Sequence, residues 1–256
     1  LGRLVKLGQR VAICDQVEDP AEAKGIVRRE VTETVTPGTV LQDTLLTAER
    51  NNFLVALTEV TDQGVGVATL DLSTGEISAQ AVPPSELRAE LGRRDPTELL
   101  IPRSLEHAAE AKAGDDTAAA REAATAIVQA AAGVLRTYRD DWVFDYQTAA
   151  DELKRRYGVQ SLDAFGFQKD DEVLVRATGA LLTYVGEIRP GGVEHLRTPQ
   201  ILRRGSAMLL DEMTRRNLEL VEPMRVGEEG GTLISVLDET VTAMGARTLR
   251  RWLLHP

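Results

Sequence analysis

The stretch from residue 51 to 82 constrains this chain more than any other. Three β-type runs follow one another there, NNFLVALTEV, GVGVATLDL and EISAQAV, separated by the turns Thr61-Asp62-Gln63-Gly64 and Ser73-Thr74-Gly75. Apolar runs joined by such short polar turns fold back on one another as an antiparallel meander. Pro83-Pro84-Ser85 closes it, and Ser85 is expected to cap a helix over SELRAELGRR. Asp95-Pro96 then turns into a short strand, TELLIP. A meander followed by alternating helices and strands predicts an α/β layer architecture.

On the N-terminal side, RLVKLGQR reads as the end of an amphipathic helix stopped by Gly8, and VAIC as a short buried strand. Asp19-Pro20 is expected to open a short helix ended by Gly25. Val27, Val31 and Val35 then carry strand periodicity up to the turn at Pro37-Gly38. On the C-terminal side, 13 of the 25 residues from Ala108 to Ala132 are Ala, which predicts helix, broken at Gly114-Asp115-Asp116. YQTAADELKRRYG predicts a helix over 146–157 stopped by Gly158. DDEVLVRATGALLTYVGEI predicts a core helix through Leu174, Ala177, Leu181, Leu182 and Val185. Asp211 with Thr214, and Thr242, stand at helix N-cap positions. Met244, Leu249, Trp252 and Leu253 form an apolar stripe on the last helix. Turn clusters near residue 40 and at Pro190-Gly191-Gly192 divide the chain into 1–40, 41–190 and 191–256.

Charge follows the same division. The net charge is −10 over 256 residues, and both flanks are neutral. Residues 1–40 hold 6 basic and 6 acidic side chains, residues 191–256 hold 9 and 9, and the middle holds 15 and 25. An acidic middle is a poor grip for phosphates and suits protein contact better. No run of about 18 apolar residues exists to cross a membrane as a helix. The first residue is Leu1 and no basic-then-apolar leader follows it, so the chain is expected to be cut from something longer. A lone Cys14, expected to be buried, excludes an intrachain disulfide framework and a cysteine-rich zinc site, and three scattered His residues argue against a histidine metal cluster.

Catalytic patterns are incomplete. GEEGGT at 227–232 has glycines but no following Lys, and its glutamates would repel phosphate. None of His107, His195 and His255 has a setting that suggests a catalytic triad. A two-metal nuclease needs three or four converging carboxylates. Asp71 lies on a β-run, with Glu76 and Asp163 as the nearest candidates to complete a set.

Two long stretches are more specific. VAICDQVEDPAEAKGIVRREVTETVTPGTV at 11–40 resembles the bacterial MutS mismatch-repair family at the end of its mismatch-recognition domain. The segment 208–256 resembles the start of that family's helical core, through Thr214–Leu220, Leu237-Asp238, Thr242, Met244-Gly245, Arg247 and Arg250–Leu253. NNFLVAL, GVATLDLSTGEI and the FGF of Phe165–Phe167 fit the connector domain between them. The Ala-rich 108–132 stretch departs from that pattern.

The resemblance implies an α/β fold: an RNase H-like connector over 41–190, a small α+β N-terminal remnant over 1–40, and a partial α-helical core segment over 191–256. It places the Phe-x-Glu mismatch reader upstream of Leu1, and the ATP and Mg site and the DNA clamp downstream of Pro256. The segment itself is then no enzyme and has no catalytic, cofactor or metal residues. The resemblance further implies a cytoplasmic parent, acting as a homodimer on mismatched duplex DNA, with MutL as partner. Asp151, Glu152 and Arg155 on the 146–157 helix are the candidate MutL surface. Lys24, Arg28 and Arg29 are the candidate contacts to the DNA backbone. The alternative is the metal-dependent nuclease built on Asp71, Glu76 and Asp163.

Overall fold

The computed structural model describes residues 1–19, 25–40, 51–110, 118–191, 193–203, 212–225 and 230–254. After α1 (Gly2–Lys6), the strands β1 (Val11–Gln16) and β2 (Arg29–Val35) pair antiparallel as a hairpin, with Val11 opposite Val35 and Gln16 opposite Arg29. Val5, Val35 and Val40 form a small apolar cluster at its base. Among the described residues, no second layer of strands or helices packs over the outer part of the ribbon. Cys14, expected to be buried, is therefore exposed, because a two-stranded hairpin has no layer to cover it.

The expected meander forms in register. β3 (Phe53–Thr61), β4 (Gly64–Asp71) and β5 (Glu76–Val82) run antiparallel, with Phe53 opposite Asp71 and Asp71 opposite Glu76. The chain continues through α2 (Pro84–Arg94), β6 (Glu98–Pro102), α3 (Arg103–Glu110), α4 (Ala118–Ala130) and β7 (Leu135–Arg139). β6 pairs parallel with β3, and β7 parallel with β6. Next come α5 (Tyr146–Tyr157), α6 (Glu172–Ile188) and a two-residue strand, β8 (Gln200–Ile201), parallel to β5. The sheet order is β7-β6-β3-β4-β5-β8. The helices α7 (Glu212–Asn217), α8 (Leu233–Leu237) and α9 (Ala243–Leu254) follow.

Period-two alternation divides the sheet residues between two cores. Leu54, Ala56, Ala68 and Leu70 face α5 and α6, while Val55, Leu57, Val65 and Val67 face α2, α3 and α4. A sheet covered on both faces is buried throughout, and β4 is buried at every position. α6 lies very close. A Cβ on Gly66 would run into the Val173 carbonyl, and one on Gly179 would run into Ala149 of α5.

Local signals hold with small shifts. Gly158 ends α5 in the left-handed region at φ 64°, and the Thr242 hydroxyl accepts from the Gly245 N–H at the start of α9. α2 begins one residue before the expected cap, because Pro84 has no N–H to satisfy and suits a first helical position. Ser85 therefore sits inside the first turn. The short helix expected between Asp19 and Gly25, and the cap at Asp211, fall at residues outside the described ones.

Past Pro190 the chain stays with the sheet. The His195 Nε2 donates to the Leu72 carbonyl at 2.7 Å, the Arg197 N–H to the Gly75 carbonyl at 2.7 Å, and the Leu202 N–H to the Ala79 carbonyl at 2.9 Å. Leu196 is buried in the α5–α6 core.

Candidate interdomain joint

Glu98, the first residue of β6, has no solvent exposure. A buried carboxylate is tolerated only where donors replace its water. Glu98 has four. Its Oε2 accepts from the Thr36 hydroxyl and from the Gly38 N–H at 3.1 Å. Its Oε1 accepts from the Thr137 hydroxyl of β7 at 2.6 Å and from the Tyr184 hydroxyl of α6 at 2.7 Å. Arg10, just ahead of β1, donates to Thr137 Oγ1. Burial, reinforced by the Glu98 charge, pushes the Tyr184 phenol well above its ordinary pKa and keeps it a donor. The Arg139 guanidinium lies over the Tyr184 ring, 5.7 Å from its centroid.

Two of those donors come from the exit of the N-terminal hairpin. Residues Pro37–Thr39 form a 3-10 turn capped by Thr36, whose N–H donates to Thr39 Oγ1 at 3.0 Å. The turn is seated by Asn52 Nδ2, which donates to the Pro37 carbonyl at 2.8 Å. Arg189, just past α6, donates to the Thr39 carbonyl at 3.3 Å and pairs with Glu33 of β2 at 2.9 Å. No side chain fits at Gly38, since a Cβ there would stand 2.8 Å from Glu98 Cβ and 2.9 Å from its Oε2. Glycine lets the backbone N–H reach the carboxylate. The result is a polar fastening between hairpin, sheet and α6, in which the carboxylate accepts a hydrogen bond from each of four donors and faces no solvent.

The C-terminal helices attach through arginine side chains. Glu90 of α2 pairs with Arg93 and Arg94, and Arg215 of α7 donates to the Arg93 carbonyl at 3.4 Å. Arg251 of α9 pairs with Glu76 at the start of β5.

The residues singled out in the sequence fall as follows. Asp71 is buried and held by Asn51 Nδ2 at 2.8 Å and by the Ser73 hydroxyl at 2.6 Å. Glu76 lies opposite it in register but is paired with Arg197 and Arg251. Asp163 is exposed in the 3-10 turn Leu162–Phe165 and accepts from Ser161. Among the described residues, no three His, Cys, Asp or Glu side chains are grouped to hold a metal ion. The nuclease alternative is therefore not favoured.

On α5, Asp151 is exposed and accepts from Gln147 Nε2 at 2.9 Å. Glu152 is tucked against Arg155 and Arg156 at 2.7 and 3.2 Å. The Asp145 carboxylate caps this helix, and the Thr148 N–H holds its pKa below the ordinary value. Arg28 is exposed and drawn to Glu30, Arg29 is exposed on β2, and Lys24 lies outside the described residues. Glu98 was not singled out. Its only sequence trace is an acidic residue heading the apolar run Leu99–Ile101, with nothing local to name its donors.

Three family models match the chain in succession: MutS domain I over residues 1–44, MutS domain II over 52–197 and MutS domain III over 213–256. Among curated proteins, the DNA mismatch repair protein MutS of Desulfosudis oleivorans is 41% identical over 259 residues. That of Chlorobium phaeovibrioides is 39% identical over 259 residues, and that of Symbiobacterium thermophilum 38% over 260. Each alignment covers 100% of this chain and 28% of the relative, so the chain spans little more than a quarter of their length. Among solved structures, T. thermophilus RuvC in complex with Holliday junction substrate matches at a TM-score of 0.37 and 14% identity, over 55% of this chain and 97% of that one.

Proposed function

Since this chain belongs to the MutS family, we propose that it works in DNA mismatch repair as a coupling section, relaying changes of state between a mismatch-reading part and an ATP-hydrolysing part. The observation that carries this reading is the Glu98 fastening. One buried carboxylate gathers donors from the exit of the hairpin, the central sheet and α6, so a shift of the hairpin is felt by all three. The central domain is read as RNase H-like on its own strand order: an antiparallel meander β3–β4–β5, extended beyond β3 by the parallel β6 and β7, with helices on both faces. ATP, Mg and mismatched duplex DNA would be handled by other parts of a homodimeric, cytoplasmic MutS protein.

The test places Glu98→Ala with Thr36→Val in a full-length MutS protein carrying this segment. Mismatch affinity and basal ATP turnover are expected to hold, while the stimulation of turnover by a mismatch falls by about fivefold or more, the lower end of typical coupling. An unchanged stimulation would end the coupling reading.

The exposed face of α5, with Asp151, Glu152 and Arg155, is proposed as part of the MutL surface. The exposure of Asp151 and Arg155 supports this. Asp151→Arg with Glu152→Arg is expected to weaken MutL binding about tenfold through like-charge contact, and unchanged binding would remove the assignment. Lys24, Arg28 and Arg29 would add phosphate contacts that carry no sequence information. Their replacement by Ala should flatten the salt dependence of DNA binding, and an unaltered slope would exclude them.

A further inference from the structure

We propose that the cavity between the β5–β8 edge of the sheet and α9 binds a small tetrahedral oxyanion of the phosphate class. The cavity measures about 250 Å³ and is lined by Thr69, Ser78, Gln200, Arg197 and Arg251, together with Glu76. Its floor follows from strand register. Thr69 of β4 pairs with Ser78 of β5, and Ser78 with Gln200 of β8, so the three stand side by side on one face. The two hydroxyls offer neighbouring donors.

Thr69 is 4% exposed, and its Oγ1 has no hydrogen-bond partner. A buried hydroxyl left unanswered costs on the order of 1–3 kcal/mol, and this one lines the cavity. An acceptor placed there would remove the cost.

The electrostatics select the sign of that acceptor. Arg197 comes from the segment leading into β8, and Arg251 from α9, more than fifty residues later. Both converge on the single carboxylate of Glu76. Among the charged residues that line the cavity, two guanidinium groups stand against one carboxylate; the second carboxylate nearby, Asp71 opposite Glu76 in register, accepts from Asn51 and Ser73 instead. Guanidinium groups only donate hydrogen bonds, in a fork that matches the oxygens of phosphate. With Glu76 occupied by the two arginines, Arg197, Arg251, Thr69 and Ser78 together offer donors to a multiply charged oxyanion. The volume is well beyond what a single bound water needs and leaves room for that ion with part of its hydration. Bound there, it would tie Arg251, and with it α9, more firmly to the sheet.

The test titrates inorganic phosphate into the full chain against potassium chloride at matched ionic strength. Thermal unfolding and calorimetry serve as readouts. Phosphate is expected to bind saturably at one site per chain and to raise the unfolding temperature beyond the chloride control. Arg251→Gln and Arg197→Gln should each weaken it about tenfold, as the loss of a charge-assisted bond does, and Thr69→Val by a smaller factor. Arg197 is exposed, so its variant reports on the site even if Arg251→Gln loosens α9. Glu76→Gln is the discriminating variant. Removing the competing carboxylate should tighten phosphate binding severalfold, whereas ion pairs with a purely structural role would lose stability with no gain in affinity. Stabilisation by phosphate no greater than by chloride would overturn the proposal. So would affinities indifferent to both arginine variants, or a Glu76→Gln variant that binds phosphate no better.

Discussion

A carboxylate without solvent exposure persists where its charge is matched by donors, and at Glu98 the match depends on groups up to 86 residues apart in the chain. Such an arrangement couples its members energetically. In a double-mutant cycle of Thr36→Val with Glu98→Gln, read by urea unfolding, the two losses should fail to add by about 1–3 kcal/mol, as expected for partners in one buried network. Additive losses would show that the pair is not coupled. The tyrosines give a second readout. Burial pushes the Tyr157 phenol up to about 12 and the Tyr184 phenol further in the same direction. A group whose folded pKa is raised contributes stability that is complete below the unfolded pKa of about 10 and lost as pH climbs above it. Ultraviolet titration should therefore show two phenols still protonated at pH 11, released together with unfolding. Smooth ionisation of all four tyrosines near pH 10 in a folded protein would contradict the burial.

Among the elements, α5 and α6 pack in close contact. Gly179 faces the backbone of Ala149, and the helices approach closely because neither Gly179 nor Ala149 has more than a methyl group to interpose. Gly179→Ala is expected to destabilise by about 1–3 kcal/mol through overpacking, against the usual gain from replacing a helical glycine. A rise in unfolding temperature would refute the close approach. Much of this layer was legible beforehand. The apolar spacing of Leu174, Ala177, Leu181, Leu182 and Val185 marked α6 as core, and all five are buried. Gly158 marked the end of α5. Cys14 was misread because an apolar run of four residues looks the same in a covered sheet and in a bare ribbon. What distinguishes the two is the number of layers, which no local pattern carries.

At the scale of the whole molecule, the described residues leave more large apolar side chains exposed towards the C-terminus. Residues 193–203 are laced to β5 and to the β4–β5 turn, and Arg203 grips Asp171 at the start of α6 with two bonds of 2.5 and 2.6 Å. Beyond them, Met213, Val236, Val241, Met244 and Trp252 are exposed, each by half or more. Limited proteolysis is expected to cut in 212–254 before it cuts in 51–110 or 118–191, with the first stable product ending near residue 203. Simultaneous loss of both parts would show that the terminal helices are held as firmly as the sheet. The exposed apolar side chains also make this part of the surface prone to association.

The sequence by itself determined the meander, the alternation of helices and strands that follows it, the helix ends at Gly158 and Thr242, and the family resemblance. Period, turn chemistry and capping are properties of neighbouring residues, and motif order survives in the linear chain. Only the tertiary structure decided that Glu98 fastens the hairpin to the sheet, that Asp71, Glu76 and Asp163 are not grouped as a metal set among the described residues, and that Arg197 and Arg251 meet at Glu76. Each of these depends on side chains brought together across tens of residues. Their energies come from burial and from partners, neither of which exists until the layers have closed.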